Sequence, residues 1–313
     1  MSVVCPMYRE EATVEQFHAR LAAALEGVDP PVRYEAIYVD DGSDDASAER
    51  VRALGADDSR VKLVELSRNF GHQLAITSGL DHATGDATVV IDTDLQDPPE
   101  VIPAMIDRWR EGYDVVDGQR TQRPGEPRLM LFLIGWFYRI LGWLSETPLR
   151  SEVGDFRLID HKVRDVFVNM REENRYIRGM VPWIGFRNTA VPYERDVRYA
   201  GTSNYRFVRR VRLAFDAVTS FSERPLNLAS GLGAIITVFA LGLAVWVIVG
   251  TIVNPDRGVA GYGSLMVAIL FMGGVQLLSL GLVGAYLGRV YRESKGRPLY
   301  VVRDLVNFED PTG

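Results

Sequence analysis

The chain of 313 residues carries one cysteine, Cys5, so no disulfide can close within it. That thiol lies in an apolar run, Ser2 to Pro6, and reads as a buried, inert group. No G-x-G-x-x-G opens a helix and no Walker A run occurs. Neither a dinucleotide fold of the usual kind nor a P-loop NTPase is therefore supported. A basic excess is missing too: the net charge is −6, which argues against a nucleic-acid partner. The start of the chain has no basic region leading into an apolar one, so no signal peptide is expected and the polar half should stay in the cytoplasm. No internal repeat or low-complexity tract appears.

Charge itself is absent from two long stretches, Pro225 to Pro255 and Gly258 to Gly288. Each exceeds the roughly 20 apolar residues that a membrane span needs. The expectation is a hairpin of two transmembrane helices within 226–289, at about 227–253 and 263–288, joined by the short connector 254–263. Arg206, Arg209, Arg210, Arg212 and Arg224 precede the first span, and Arg289, Arg292, Lys295 and Arg297 follow the second. The connector holds one Arg beside one Asp. This bias puts both ends of the hairpin, and the tail 290–313, in the cytoplasm of a multi-pass protein of the inner membrane. Gly284 and Gly288 have a spacing that permits close helix approach, and hence self-association through the spans. A third apolar segment, Leu129 to Leu144, is too short to span and contains Arg139. With Trp136 and Trp143 on one face, an interfacial helix over 128–146 is expected, and 205–225 is a second amphipathic candidate.

In the first half, strand and helix signals alternate. Strands are expected at Ser2–Pro6, Tyr34–Val39, Val61–Leu66, Ala87–Ile91 and Asp114–Val116. Helices are expected at Val14–Leu25, Ala46–Leu54, His72–Ala83 and Glu100–Glu111. Such alternation indicates an α/β domain with a mostly parallel sheet. Two acidic clusters, Asp40-Asp41-Gly42-Ser43-Asp44 and Asp92-Thr93-Asp94-Leu95-Gln96-Asp97, follow two of these strands. They therefore sit at the carboxyl edge, where open α/β sheets bind ligands. Crowded carboxylates repel one another unless a cation neutralises them. A hard divalent ion, Mg²⁺ or Mn²⁺, held by one or two carboxylates and the phosphate oxygens of a nucleotide diphosphate is the economical explanation.

Pro6-Met7-Tyr8-Arg9-Glu10-Glu11, the Asp-Asp-Gly-Ser run at 40–43 and the Asp92-to-Gln96 cluster together resemble family 2 glycosyltransferases of the GT-A (Rossmann-like) class. Arg68-Asn69-Phe70-Gly71-His72-Gln73, Gln96-Asp97-Pro98-Pro99-Glu100, Gly154-Asp155-Phe156-Arg157 and the apolar hairpin narrow the likeness to the polyprenyl-phosphate group. The resemblance implies a GT-A domain over 1–204. It puts Pro6, Tyr8, Glu10, Asp40, Asp41, Asn69 and Asp92 around the nucleotide sugar, although Asp40 also suits a cap on the following turn. It makes Asp94 and Gln96 direct metal ligands, with Asp92 on the metal or the donor sugar. Asp92, Asp94, Asp155 and Arg120 are the implied catalytic set, with Arg120 reaching phosphate. The acceptor phosphate is expected at Arg128, Arg157, Arg198, Ser203 and Arg206. His72 and His82 are expected to be structural, and Asp97 to cap a helix. One departure stands out. Where the family often has Arg-x-x-Gly-x-Ser-Lys-Tyr, this chain has Asn204 in place of the lysine, within the run Arg198 to Tyr205.

The implied reaction moves one sugar, with inversion, from a nucleotide diphosphate to a polyprenyl (undecaprenyl) phosphate at the cytoplasmic membrane face. UDP-glucose is the first expected donor. GDP-mannose is the alternative. A processive polysaccharide synthase fits less well, since Arg108-Trp109 lacks the upstream glutamine of Gln-x-x-Arg-Trp. A non-catalytic sugar-nucleotide sensor or flippase accessory is disfavoured by the intact Asp92, Asp94 and Gln96.

Overall fold

The computed structural model describes residues 1–121, 153–173, 175–194 and 261–308, with scattered positions between 231 and 253. The chain divides into two compact units: Met1–Gly142, Thr147–Arg210 and Pro298–Gly313 form one, Trp143–Glu146 and Val211–Arg297 the other.

The first unit is built on an eight-stranded sheet of order β7-β5-β6-β4-β1-β2-β3-β8. Its elements run β1 (Ser2–Met7), α1 (Val14–Glu26), β2 (Glu35–Asp40), α2 (Ser47–Asp57), β3 (Val61–Leu66), α3 (His72–His82), β4 (Ala87–Val90), a 3₁₀ turn (Pro99–Val101), α4 (Ile102–Arg110) and β5 (Val115–Arg120). Then follow β6 (Val153–Asp160), α5 (His161–Asn169), α6 (Ile177–Ile184), β7 (Asn188–Tyr193) and, near the C-terminus, β8 (Val302–Val306). The parallel pairs are β1 with β2 and β4, β2 with β3, and β5 with β7. All six residues of β1 are buried, as a central parallel strand covered on both faces requires. In α1, Val14, Phe17, Leu21 and Leu25 fall on one helical stripe and are buried, while the rest of the helix faces out.

The expected strands and helices of the first half are all present within a few residues of their expected ends. Three strands were not anticipated. β6 inserts between β4 and β5 and runs antiparallel to both. Its register pairs Ala87 with Asp160 and Val90 with Arg157. Asp155 lies two residues beyond the last of these pairs, toward the end of β4 that leads into Asp92. β7 flanks β5. β8 pairs antiparallel with β3, so the segment read from sequence as a tail over 290–313 returns to close the sheet edge. Arg52 and Arg303 bind Glu65 on β3, Arg52 also binds Asp304, and Asn307 donates to the Gly55 and Val61 carbonyls. An edge strand with this many side-chain ties is well protected from stray pairing.

In the second unit the longest described element is α7 (Tyr262–Ser294), a helix of 33 residues. Its segment Phe271–Ser294 is long and apolar enough to cross a membrane by length and composition, with mean hydropathy 1.5, and none of that window is buried. Phe271, Leu277, Leu280 and Leu287 all stand exposed. The first expected span lies mostly outside the described residues, as do both interfacial helices, so the two-helix hairpin stays an expectation.

Candidate active site

The sheet order reverses direction at β1: β2 and β3 follow on one side, β4 lies on the other. Ligands in open α/β sheets bind at such a switch point, outside the carboxyl ends of the strands. A cavity of about 270 Å³ opens there, lined by Pro6 on β1, Tyr8 and Glu10 after it, Asp41 after β2, Asn69, Gly71 and His72 before and at the start of α3, and Asp92, Thr93 and Asp94 after β4.

Backbone geometry holds these loops in shapes that few residues adopt. Arg9 and Leu95, in the loops after β1 and β4, have φ of 58° and 61°. Left-handed non-glycine residues of this kind cluster at functional sites. Gly42 has φ 67°, and a Cβ there would lie 2.4 Å from the carbonyl carbon of Arg68, so only glycine allows the two loops to touch. Across that contact the Asp41 carboxylate accepts from Phe70 N at 2.7 Å and Gly71 N at 2.9 Å. Asp41 thus fixes the loop that carries Asn69 and His72. Thr93 Oγ1 donates to the Pro6 carbonyl at 3.3 Å, pinning the β4 loop to β1.

Glu10 Oε2 accepts from Thr13 Oγ1 at 2.6 Å, and Tyr8 is exposed beside it with the Arg9 guanidinium 5.3 Å from the ring centre. Asp40, expected at the nucleotide, takes the other reading of the sequence. Both its oxygens accept from Ser43, at 2.5 Å from Oγ and 3.1 Å from N, which closes a turn rather than the cavity wall.

Asp92 and Asp94 both reach the cavity. Asp94 Oδ1 accepts from Gln96 N at 3.1 Å. Asp92 Oδ1 is buried and accepts no hydrogen bond. Burial pushes the Asp92 carboxyl up to about 6; the nearby His72 opposes this, and Asp155, Asp94 and Asp97 reinforce it. Gln96 is buried outside the cavity lining, with its amide nitrogen unpartnered. Among the described residues no group of three or more His, Cys, Asp or Glu side chains lies close enough together to hold a metal ion.

Asp155 sits behind this wall rather than in it. Its side chain is 4% exposed; Arg178 Nε and Nη2 donate to its two oxygens at 3.0 and 2.8 Å, and His72 Nε2 lies 3.4 Å away. Burial works against its charge, yet His72 and Arg178 hold its carboxyl well below the usual carboxylate range. His72 Nε2 is also 3.5 Å from Asp92 Oδ1. Burial lowers the affinity of this imidazole for a proton, but the two carboxylates outweigh it and raise its pKa.

The structure corrects several expectations. His72 is not a bystander: it lines the cavity between two carboxylates. His82 lies outside the cavity lining, with its Nδ1 2.7 Å from the Ser78 carbonyl. Arg157 is 2% exposed, donates to the Gly154 carbonyl at 3.0 Å and faces Asp117 at 3.5 Å, so in this arrangement it cannot meet an acceptor phosphate. Arg120 has an acidic partner that the sequence did not reveal. Its Nη2 reaches Asp97 Oδ2 at 3.3 Å and its Nε donates to Tyr193 Oη at 3.2 Å. Asp97, expected as a helix cap, accepts from Tyr193 Oη at 2.6 Å and ties β7 to the β4 loop. Arg128, Arg198, Ser203 and Arg206 lie outside the described residues. Arg178 was missed altogether, since nothing in its sequence surroundings marks it.

Residues 2–167 match the family described as glycosyl transferase family 2. An uncharacterized glycosyltransferase of Synechocystis sp. is 43% identical over 99% of this chain and 96% of its own length. The uncharacterized glycosyltransferase YkcC of Bacillus subtilis is 42% identical over 99% and 95%. A bactoprenol glucosyl transferase of Shigella phage SfV is 38% identical over 97% of this chain and 98% of its own length.

Proposed function

The chain belongs to glycosyl transferase family 2, and we propose that it transfers a single glucose from UDP-glucose to the phosphate of a polyprenyl phosphate at the cytoplasmic face of a membrane. The observation that carries this reading is the extent of the likeness to the phage bactoprenol glucosyl transferase: it runs through both the acidic cavity and the apolar C-terminal half, 97% of this chain. A lipid acceptor explains why a sugar-nucleotide cavity and an exposed apolar helix occur in one chain.

In this reading Tyr8, Glu10, Asp41 and Asn69 receive the base and ribose at one end of the cavity. Asp92 and Asp94 face the diphosphate and sugar at the other. The donor set suits a hard divalent cation: two carboxylates within one short loop, one with a buried oxygen that accepts no hydrogen bond. Asp92 and Asp94 would hold Mg²⁺ or Mn²⁺, with Gln96 next along the loop. When bound, that ion would act as a Lewis acid on the departing diphosphate. The acceptor phosphate, whose second pKa is near 6, is ionised at neutral pH and needs no general base. Its oxygen forms a bond to the anomeric carbon as the bond to the UDP oxygen breaks, which inverts that centre. The protein's own part is then orientation and charge stabilisation. Arg120, tethered by Asp97 and Tyr193, would face developing negative charge. Arg128, Arg198, Ser203 and Arg206 are the proposed acceptor-phosphate residues, and Arg157 is withdrawn from that group.

The test uses detergent-purified full chain, undecaprenyl phosphate and radiolabelled donors. Label from UDP-glucose should enter the organic-extractable lipid. Label from GDP-mannose alone would move the reading to a mannose transferase, and label in neither would reject the lipid acceptor.

A further inference from the structure

We propose that Arg178, Asp155 and His72 form one positioning unit for Asp92, so that Asp155 serves the transfer through His72 rather than by touching the sugar. The proposal rests on the reaction proposed above.

Four charged or polar groups stand in a line that ends in the cavity. Arg178 makes two parallel bonds to Asp155, at 3.0 and 2.8 Å, the fork geometry that fixes a carboxylate in orientation as well as in charge. Asp155 Oδ2, the oxygen that accepts from Arg178 Nη2, also lies 3.4 Å from His72 Nε2, and the same nitrogen lies 3.5 Å from Asp92 Oδ1. Only His72 and Asp92 of the four are among the residues lining the cavity. Asp155, 4% exposed and absent from that lining, is thus placed to act on a bound substrate through His72.

A second contact closes the arrangement into a ring. Gln73, next to His72 on α3, accepts through Oε1 from the backbone N–H of Ile177 at 2.9 Å, and Ile177 precedes Arg178 on α6. The N-terminal ends of the two helices are thus joined twice, once through backbone and amide and once through Asp155. Asp155 is the buried member, so losing either Arg178 or His72 strands its carboxylate at a desolvated site, which holds the arrangement in one orientation. The unit also explains why a carboxylate held 4% exposed and ionised sits beside His72, on the antiparallel strand next to β4. It sets the ring of His72, and the ring sets the free carboxylate.

The test is a set of double-mutant cycles in the detergent-purified full chain, with UDP-glucose and undecaprenyl phosphate. Arg178→Gln, Asp155→Asn and His72→Ala should each lower kcat more than tenfold. Acceptor KM and the affinity for UDP should stay within twofold. Each double variant should be no worse than its poorer parent within twofold, and Arg178→Lys should recover part of the loss. Multiplying effects in Asp155→Asn with His72→Ala would show that Asp155 meets the substrate itself and overturn the proposal. A rise in acceptor KM in Arg178→Gln would overturn it as well, since Arg178 would then bind phosphate directly, and so would unchanged kcat in the single variants. Should Arg178→Gln fail to fold, Arg178→Lys with Asp155→Asn carries the cycle. If the wild-type chain transfers nothing to the lipid, the acceptor reading fails. The same cycles, read on hydrolysis of the nucleotide sugar without acceptor, then decide the positioning unit separately.

Discussion

Asp41 is the residue whose loss should be felt furthest from its own position. Its two oxygens accept from Phe70 N and Gly71 N at 2.7 and 2.9 Å, and those amides belong to the loop that delivers Asn69 and His72 to the cavity. Asp41→Asn keeps one acceptor and turns an NH₂ group against the other amide. A hydrogen bond to a charged group contributes about 1.5–3 kcal/mol, and leaving a buried donor unsatisfied costs a similar amount. The loop should therefore lose about 2–3 kcal/mol relative to its open forms. At about 1.4 kcal/mol per tenfold, opening becomes roughly thirtyfold to a hundredfold more frequent. Hydrogen exchange in the ligand-free chain reads this directly: the amides of residues 69–73 should exchange faster by that factor, while those of β1 and β2 should not change. UDP affinity, measured by calorimetry, should fall in the same variant. If exchange at 69–73 is unaltered, the loop is held by something other than Asp41, and any loss of UDP binding reflects direct contact alone.

Asp94→Asn should abolish transfer with the melting curve unchanged, and EDTA should do the same to the wild type; turnover that survives EDTA would remove the metal. Glu35 supplies a pH-dependent stability that can be worked through in sign. Burial opposes its charge, but Lys62, Ser2 and Thr84 lower its pKa from 4.5 to about 2. A depressed carboxyl pKa gives stability that is complete above the unfolded pKa and is lost as pH falls through the folded one. After allowance for solvent screening this amounts to about 2 kcal/mol. Glu35→Gln should thus be less stable than wild type near pH 7, with the difference shrinking below pH 4.5 and gone near pH 2; a constant difference across that range would refute the assignment. A cysteine placed in the 256–262 connector should react with an impermeant thiol reagent added outside the cytoplasm, and one at Glu309 should not; the reverse pattern would overturn the topology read from the arginines.

Much of the first unit was legible because its parallel strands bury both faces and so appear as short apolar runs, with amphipathic helices between them. Asp41, Asp92 and Asp94 were legible for the same reason: each follows a recognisable strand and so falls at the carboxyl edge. What escaped depended on long-range pairing. β6 contains Asp155, Arg157 and Asp160 among its eight residues, which hides a buried strand from any hydropathy pattern. Only its pairing with β4 and β5 brings Asp155 to His72 beside the cavity and sets Arg157 against Asp117. The helix bearing Arg178 is short and contains Pro182, so neither its length nor its composition drew notice. β8 is half-exposed and charged, as an edge strand should be, and therefore read as a tail. His72 was within sight, because Gly71 with φ 103° starts α3 at the switch point. A histidine at that helix start belongs to the cavity, but the sequence alone did not say which way the ring faced.

In the proposed reaction one hexose passes from UDP-glucose to a polyprenyl phosphate. Mass spectrometry of the lipid product tests it most directly, using the detergent-purified full chain, undecaprenyl phosphate, Mg²⁺ or Mn²⁺ and a panel of UDP- and GDP-sugars. A single new species is expected, undecaprenyl phosphate plus one hexose, formed with UDP-glucose and carrying the anomeric configuration opposite to that of the donor. A product bearing several sugars, or no lipid product with any donor despite intact UDP binding, would contradict it.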